Sequence, residues 1–427
     1  MFNKFEEKLM GILQPIAQKV NANQTLRAIA EGFLRTTPIT IGVAFFAIIG
    51  TMPIPSYTNW LETIGLKEVF DAVLGASTNV LSLYVSFSIA YCLAKNKKQN
   101  GLTAGFLSMA SFIILMPQTI EGKEGPISGL ATSYLGADGM VVALIISLLV
   151  GHLFCFLMEK NITFKMPESV PSMVSESLSP VFSAMIIFGS IVSLRIIFFF
   201  TSYKTIFAAI HQIISIPLMN VGASVPVVLF ILFLANFLWF FGIHPNTIQG
   251  PATPILTMAL VANIQAYQNH EPLPYLTLAI AGACASLGGN GNTLGLLISM
   301  FTAKSKRYKS MLKLSFIPNL FNINEPLIFG MPIMLNPIFF IPMTLSSVLM
   351  GTIGYIGAKL ITVAYNPLMG LLPWTTPFFV KFLLAGGIPL LMIIFVALAA
   401  NTALYFPFFK LADRQAVEEE KQESLEN

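Results

Sequence analysis

Three short stretches of this sequence carry residues able to do chemistry inside a chain that is otherwise apolar. The first, residues 316–342 (FIPNLFNINEPLIFGMPIMLNPIFFIP), sets Glu325 among Asn319, Asn322, Asn324 and Asn336. A carboxylate flanked by Ile323, Leu327 and Ile328 needs hydrogen bonds or a positive partner to stay ionised, and at membrane depth it must face a polar interior or a water-filled cavity. Glu325 can therefore accept a proton or a hydrogen bond from a bound hydroxyl, or it can clamp irregular backbone. The second stretch, GIHPN at residues 242–246, delivers His244 directly after a run of aromatic and aliphatic residues. Its imidazole can orient a ligand or simply pack, and residue type alone leaves both open. The third, LGGNGNTLG at residues 287–295, combines Gly288, Gly289 and Gly291 with Asn290, Asn292 and Thr293. The glycines allow close backbone approach and the amides and hydroxyl supply hydrogen bonds. The lysine and preceding strand of a phosphate-binding loop are missing, so this loop suits a neutral polyhydroxylated ligand better than a nucleotide. Trp374, between Pro373 and Thr375, can stack on a sugar ring or sit in an interfacial aromatic belt.

The elements that hold these residues cannot be plain helices. Pro318, Pro326, Pro332, Pro337 and Pro342 cut the glutamate stretch, each removing a backbone donor and pushing its predecessor toward extended geometry. The expected form is a re-entrant, broken element walling a polar site, because freed backbone groups survive in hydrocarbon only where protein or water satisfies them. A weak echo of the pattern, GIHPNTIQGPATP at 242–254, fits the paired interrupted segments that mark midplane sites in transporters.

The rest of the chain places this site in a membrane. Of 427 residues, 55% are hydrophobic and 10% charged, with a mean hydropathy of +0.75, which excludes a soluble domain of ordinary composition. The net charge of +4 comes from basic residues clustered in short segments between apolar runs, where they set orientation in the lipid bilayer and imply no nucleic acid. Cys92, Cys155 and Cys284 are isolated in apolar stretches and match no metal or redox spacing, and His152, His211 and His270 show no ligand spacing either. No metal and no cofactor is expected.

In order along the chain, Phe2, Phe5, Leu9, Ile12, Ile16 and Val20 recur at helical spacing, giving an amphipathic cytoplasmic segment over 1–36 without a cleavable signal. Apolar runs follow at 38–52, 73–93, 102–117, 140–158 and 181–200, forming an N-terminal unit over 37–200. A polar loop is expected at 118–137 and a Pro/Ser-rich linker at 168–180. Arg195 snorkels to an interface, and 205–216 reads as a second interfacial helix. A C-terminal unit at 201–410 holds the interrupted segments, and 411–427 is a polar tail. Lys95, Lys97, Lys98, Lys160, Lys165, the basic loop 304–313, Lys410 and Arg414 place both termini in the cytoplasm. The fold class expected is an all-α polytopic membrane protein with about ten transmembrane helices, re-entrant hairpins and interfacial amphipathic helices.

GIHPN, GGNGNTLGL and INEPLIFGMPIMLNP, in this order and with these separations, together with MPESVP and YFPFFK, resemble the membrane-embedded sugar-translocating subunit, enzyme IIC, of the bacterial phosphoenolpyruvate-dependent phosphotransferase system. The resemblance is to the lactose, cellobiose and diacetylchitobiose branch. It implies a homodimer in the bacterial cytoplasmic membrane, an N-terminal scaffold and dimerisation domain, and a C-terminal sugar-binding domain with two re-entrant hairpins that moves across the membrane. It also implies that a β-linked disaccharide is phosphorylated on its 6-hydroxyl by the phosphocysteine of a separate IIB subunit, itself fed by IIA. His244 and Glu325 match the family's sugar-site histidine and glutamate; by residue type, Asn290, Asn292, Asn324 and Trp374 are the further sugar-binding candidates. The chain departs from the pattern at Pro245, where a small residue is expected. No segment outside the spans is large enough for a phosphate-carrying domain, so the chain is expected to act as a transferase only with its phosphorylated partner. From the residues alone, a proton-coupled secondary transporter in which Glu325 titrates is the alternative. A glycosyl-processing enzyme lacks the paired acids it would need.

Overall fold

The computed structural model describes residues 19, 22–50, 55–122, 125–164, 167, 174, 178–331 and 333–426. The expected amphipathic pattern over residues 2–20 and most of the linker at 168–180 lie outside the described residues. Helices dominate what is described, as a hydrocarbon environment requires of backbone that must satisfy its own hydrogen bonds.

The first half begins with α1 (Gln24–Leu34), capped by the Asn23 side chain, which accepts from the Thr25 and Leu26 N–H groups. It continues through α2 (Thr37–Gly50), α3 (Pro55–Thr63), α4 (Leu66–Gly75), α5 (Leu81–Asn96) and α6 (Gly101–Leu115). Residues 118–137, expected as a polar loop of an all-α protein, instead contain an antiparallel ribbon, β1 (Thr119–Gly122) paired with β2 (Gly125–Ser128). Glu121 lies opposite Pro126 and Ile120 opposite Ile127. Two tight strands satisfy each other's backbone here without needing a core. Helices α7 (Thr132–Leu135), α8 (Met140–Glu159) and α9 (Val181–Phe199) complete this half. Arg195 on α9 donates to the Ile114 carbonyl at the end of α6, so its charge sits against a helix C-terminus.

The second half opens with α10 (Ile206–Ile210), a π-helical turn at His211–Ser215 and α11 (Ile216–Gly222). Next come α12 (Val225–Phe240), α13 (Asn246–Gln268), α14 (Leu276–Ala285), α15 (Leu294–Met300) and α16 (Lys306–Leu320). Last are α17 (Glu325–Gly330), α18 (Phe340–Leu360) and α19 (Phe378–Glu426), the last broken at Gly387 where φ is 62°.

Among the described residues five helical stretches are long and apolar enough to cross a membrane: Leu66–Asn96, Met140–Glu159, Val181–Phe199, Pro337–Leu360 and Phe378–Gln422. A sixth arises if Ile206–Gly222 and Val225–Phe240, bent by 65°, form one broken span. The expected ten are not reached by this measure; adding the two shorter apolar helices, Gly101–Leu115 and Leu276–Ala285, to the five or six brings the count to eight at most among the described residues.

Residues 316–342 are broken as expected, though not at every proline. Pro318 lies inside α16, while α17 is a single short piece after the turn at 321–324. Pro342 falls in the first turn of α18, where its missing N–H has no partner to lose. Pro251 and Pro254 likewise sit within α13, so the stretch at 242–254 turns once, before Asn246, and then runs as one helix.

Two cores organise the halves. Around α5, which packs on α1, α6 and α8, Val85, Ile89, Val150 and Phe154 are fully buried. A Cβ on Gly32 would lie 2.9 Å from the Ile89 Cα, so α1 approaches α5 as closely as it does only through glycine. This core also takes in Phe207, Met219, Val228 and Met258 and therefore continues past residue 200. Around α14, α18 and α19 a second core buries Leu294, Leu297, Met350 and Ile394. The loop between α14 and α15 stands on this second core.

Candidate functional site

The glycine-rich loop is the centre on which the polar residues converge. Gly288, Gly289 and Gly291 have φ of 76°, 77° and 82°, and Asn292 follows at 49°. Such a run of left-handed residues is accessible to glycine and, at one position, to asparagine. A Cβ on Gly289 would lie 2.7 Å from the Asn322 carbonyl oxygen and 2.8 Å from Asn324 Cγ, so the loop and the glutamate turn touch backbone to backbone.

Below the loop lies a buried frame. Asn292 is fully buried, and its amide nitrogen donates to the Ala285 and Leu287 carbonyls at 2.9 and 3.2 Å. Its Oδ1 accepts from Ser346 at 3.2 Å and from Ser347. Asn236 of α12 receives the Gly291 N–H at 2.9 Å and donates to Ser347 Oγ at 2.8 Å. Asn401 donates to the Asn292 carbonyl at 2.6 Å, and the Tyr405 hydroxyl donates to the Gly291 carbonyl. Most polar groups of this frame are thus paired within the protein, as burial demands; Asn401 Oδ1 is buried without a hydrogen-bond partner among the described residues. Asn292 is spent on holding the loop in this conformation.

Above the loop lies a second set of polar groups, of which Asn319 and Asn324 are buried and Glu325 and Trp374 are exposed. Asn324 donates to the Asn290 carbonyl at 2.7 Å and immediately precedes Glu325. Asn322 bridges two segments: it accepts from the Gly288 N–H at 2.9 Å and donates to the Trp374 carbonyl at 2.7 Å. Asn319 of α16 donates to Thr293 Oγ1 at 2.9 Å. Glu325 is exposed at the first position of α17, and among the described residues its carboxylate has no ion-pair partner. The indole of Trp374 is 63% exposed, leaving the ring free to stack.

His244 is exposed in the turn between α12 and α13, with its ring centroid 6.3 Å from that of buried Trp239. The Asn246 backbone N–H donates to His244 Nδ1 at 3.2 Å. In the neutral ring the proton then sits on Nε2, which leaves Nε2–H as the donor available to a ligand. Pro245 is buried and takes the helix-entry conformation, with φ of −55°. It sets the angle at which α13 leaves the histidine, in the manner of proline at a helix start.

One turn further on, Gln249 Nε2 donates to Asn290 Oδ1 at 2.8 Å. That bond joins the histidine helix to the glycine loop, and Asn290 carries the connection on to Asn324 and Glu325. Glu325, Asn324, Asn290 and Trp374 therefore meet around one loop, and His244 reaches them through α13 and Gln249. Sequence reasoning overlooked Gln249, Asn236, Asn401 and Tyr405. A signal existed for two of them: Asn236 and Asn401 are lone amides inside long apolar helices, where a polar side chain signals a buried partner.

Similarity to known proteins agrees with this geometry. Residues 30–347 match the family described as Phosphotransferase system, EIIC. The galactose-specific EIIC component of Lactococcus lactis subsp. cremoris (strain MG1363) is 43% identical, over 98% of this chain and 97% of its own length. The cellobiose-specific EIIC component of Geobacillus stearothermophilus is 30% identical over 98% and 96%. The crystal structure of ChbC, the IIC component from the N,N'-diacetylchitobiose-specific phosphotransferase system, superposes with a TM-score of 0.88 at 31% identity, covering 97% of this chain and 99% of that one. With the loop, the glutamate turn and the histidine helix assembled in one membrane-embedded fold, the chain belongs to the EIIC family of the phosphotransferase system, as a sugar permease component that works with IIB and IIA partners.

Proposed function

We propose that the chain binds and translocates a β-linked disaccharide of the cellobiose or diacetylchitobiose type, which a separate phosphorylated IIB subunit modifies at its 6-hydroxyl. The observation that carries this reading is the bonded chain from Gln249 through Asn290 to Asn324, beside exposed Glu325 and one turn from exposed His244. Amides and a stacking indole recognise hydroxyls and a ring face. Glu325 accepts the proton of the reacting hydroxyl, and the His244 Nε2–H orients the sugar or steadies the incoming phosphoryl group. The phosphoryl transition state needs positioning more than covalent help from this chain. The N-terminal helices act as scaffold and dimer interface, the segment after residue 200 as the moving sugar-binding part, and both termini face the cytoplasm with the lysine clusters.

A second reading, galactose itself, is favoured by the galactose-specific relative. Competition on the purified protein separates the two. Displacement of labelled cellobiose by diacetylchitobiose and not by galactose supports the disaccharide. Tight galactose binding with no disaccharide binding replaces it.

A further inference from the structure

A cavity of about 150 Å³ lies apart from the glycine loop, lined by Asp138, His211, Ser215, Asn220, Tyr275 and, on its apolar side, Met258. Its walls come from both halves of the chain. The turn at 136–138, just before α8, is fixed from two directions: Ser82 Oγ donates to the Gly136 carbonyl, and the Ala137 N–H donates to Gln265 Oε1 of α13 at 3.4 Å. A Cβ on Gly136 would overlap the Gln265 amide nitrogen. The facing wall is the π-helical turn His211–Ser215, a geometry concentrated at functional sites.

Ser215 gives the second and independent pointer. It is 6% exposed, its Oγ is buried without a hydrogen-bond partner among the described residues, and it lines this cavity. A buried hydroxyl left unsatisfied in this way is destabilising until a polar group beside it supplies a hydrogen bond.

The lining selects the occupant by elimination. The side chain facing Asp138 is the His211 imidazole, and no lysine or arginine lines the cavity, so a phosphate or other anion has no fixed counter-charge. No group of three His, Cys, Asp or Glu side chains exists among the described residues, so a tightly held divalent metal lacks its donors. What remains is one carboxylate, one amide, one imidazole and two hydroxyls around an apolar floor, the donor and acceptor mixture that suits a neutral hydroxyl-rich molecule. The volume of about 150 Å³ is well below the roughly 300 Å³ at which pockets begin to take drug-sized ligands, which favours an occupant no larger than a single ring.

We propose that this cavity is a second, smaller sugar subsite that takes a single neutral pyranose ring between the two halves of the chain. The choice of a pyranose over another neutral polyol rests on the sugar-permease reading. Its position gives it a route to the main site, since α13 carries Met258 and Gln265 toward the cavity and Gln249 at the glycine loop. That helix of 23 residues is about 34 Å long at 1.5 Å per residue.

The test uses the full chain in nanodiscs with Cys92, Cys155 and Cys284 replaced by alanine and Asn220→Cys added, modified by a small methanethiosulfonate reagent with glucose as the probe. Glucose slows the modification several-fold, does so equally when Glu325→Gln is added, and loses the effect when Asp138→Asn is added. Ser215→Cys reports the same space if Asn220→Cys fails to fold. A rate indifferent to glucose in both cysteine variants means that the cavity holds water only and overturns the proposal. Protection that vanishes with Glu325→Gln assigns the effect to the main site and overturns it equally. Failure of sugar phosphorylation in vesicles would defeat the functional reading without touching this result.

Discussion

Gln249 Nε2 donates to Asn290 Oδ1 at 2.8 Å, and this bond decides what Asn290 presents to a ligand. With the amide oxygen occupied by Gln249 and the backbone carbonyl held by Asn324, the NH2 group is what Asn290 has left to offer a ligand as a donor. Gln249 is a positioning residue. Gln249→Ala frees the Asn290 amide to flip, and loss of one such bond, about 1 kcal/mol, weakens sugar affinity roughly fivefold. Calorimetric titration of the purified protein checks this, and Gln249→Glu, which keeps an acceptor but loses the donor, does not restore binding. Unchanged affinity in Gln249→Ala refutes the positioning role.

Asn292 behaves differently. Its side chain satisfies two carbonyls and two hydroxyls in the buried frame, so Asn292→Ala leaves several of them orphaned at a cost on the order of 3 kcal/mol. Thermal unfolding in detergent shows a drop of several degrees for Asn292→Ala, larger than for half-buried Asn290→Ala. Equal shifts would place Asn292 in the ligand site and not beneath it.

Gly289→Ala tests the contact between loop and glutamate turn. The position has φ of 77°, and the added methyl would meet the Asn322 carbonyl at 2.7 Å. Both the strain of a left-handed alanine and the overlap act together. Helix content by circular dichroism stays as in the parent while sugar binding is lost. Retained binding would mean that the two segments separate freely.

The chemistry-bearing residues were legible because each breaks the local pattern. Glu325 is a carboxylate in an apolar run, His244 ends an aromatic run, and the glycines at 288, 289 and 291 have no role in a helix. What stayed hidden was direction. Asn290 and Asn292 are two residues apart in the same loop, yet one faces outward and the other is sealed beneath it, because the left-handed turn at Gly291 and Asn292 reverses the chain between them. Sequence spacing does not encode that reversal. The β-ribbon at 119–128 was missed for a related reason: polar residues with two bounding glycines fit a loop and a short hairpin equally well. The prolines at 251, 254 and 318 misled in the opposite sense, since neighbouring helices tolerate them within α13 and α16.

Partial withdrawal from water raises the Asp138 carboxyl above its ordinary range, with the facing His211 acting the other way. The folded protein then holds this proton more tightly than the unfolded chain. Its contribution to stability is full below the ordinary carboxylate range and is lost as pH rises through the raised folded value. Asp138→Asn, which cannot ionise, accordingly raises the unfolding temperature at neutral pH and leaves it unchanged in acid. An equal gain at both pH values would separate the effect from ionisation.

The most direct measurement uses membrane vesicles containing this chain, labelled cellobiose and diacetylchitobiose, and the phosphorylated cytoplasmic partners added or withheld. Sugar 6-phosphate accumulates only with the partners present, and Glu325→Gln abolishes it. Accumulation of unmodified sugar without partners, collapsing when the proton gradient is discharged, would contradict the account and make Glu325 a proton carrier.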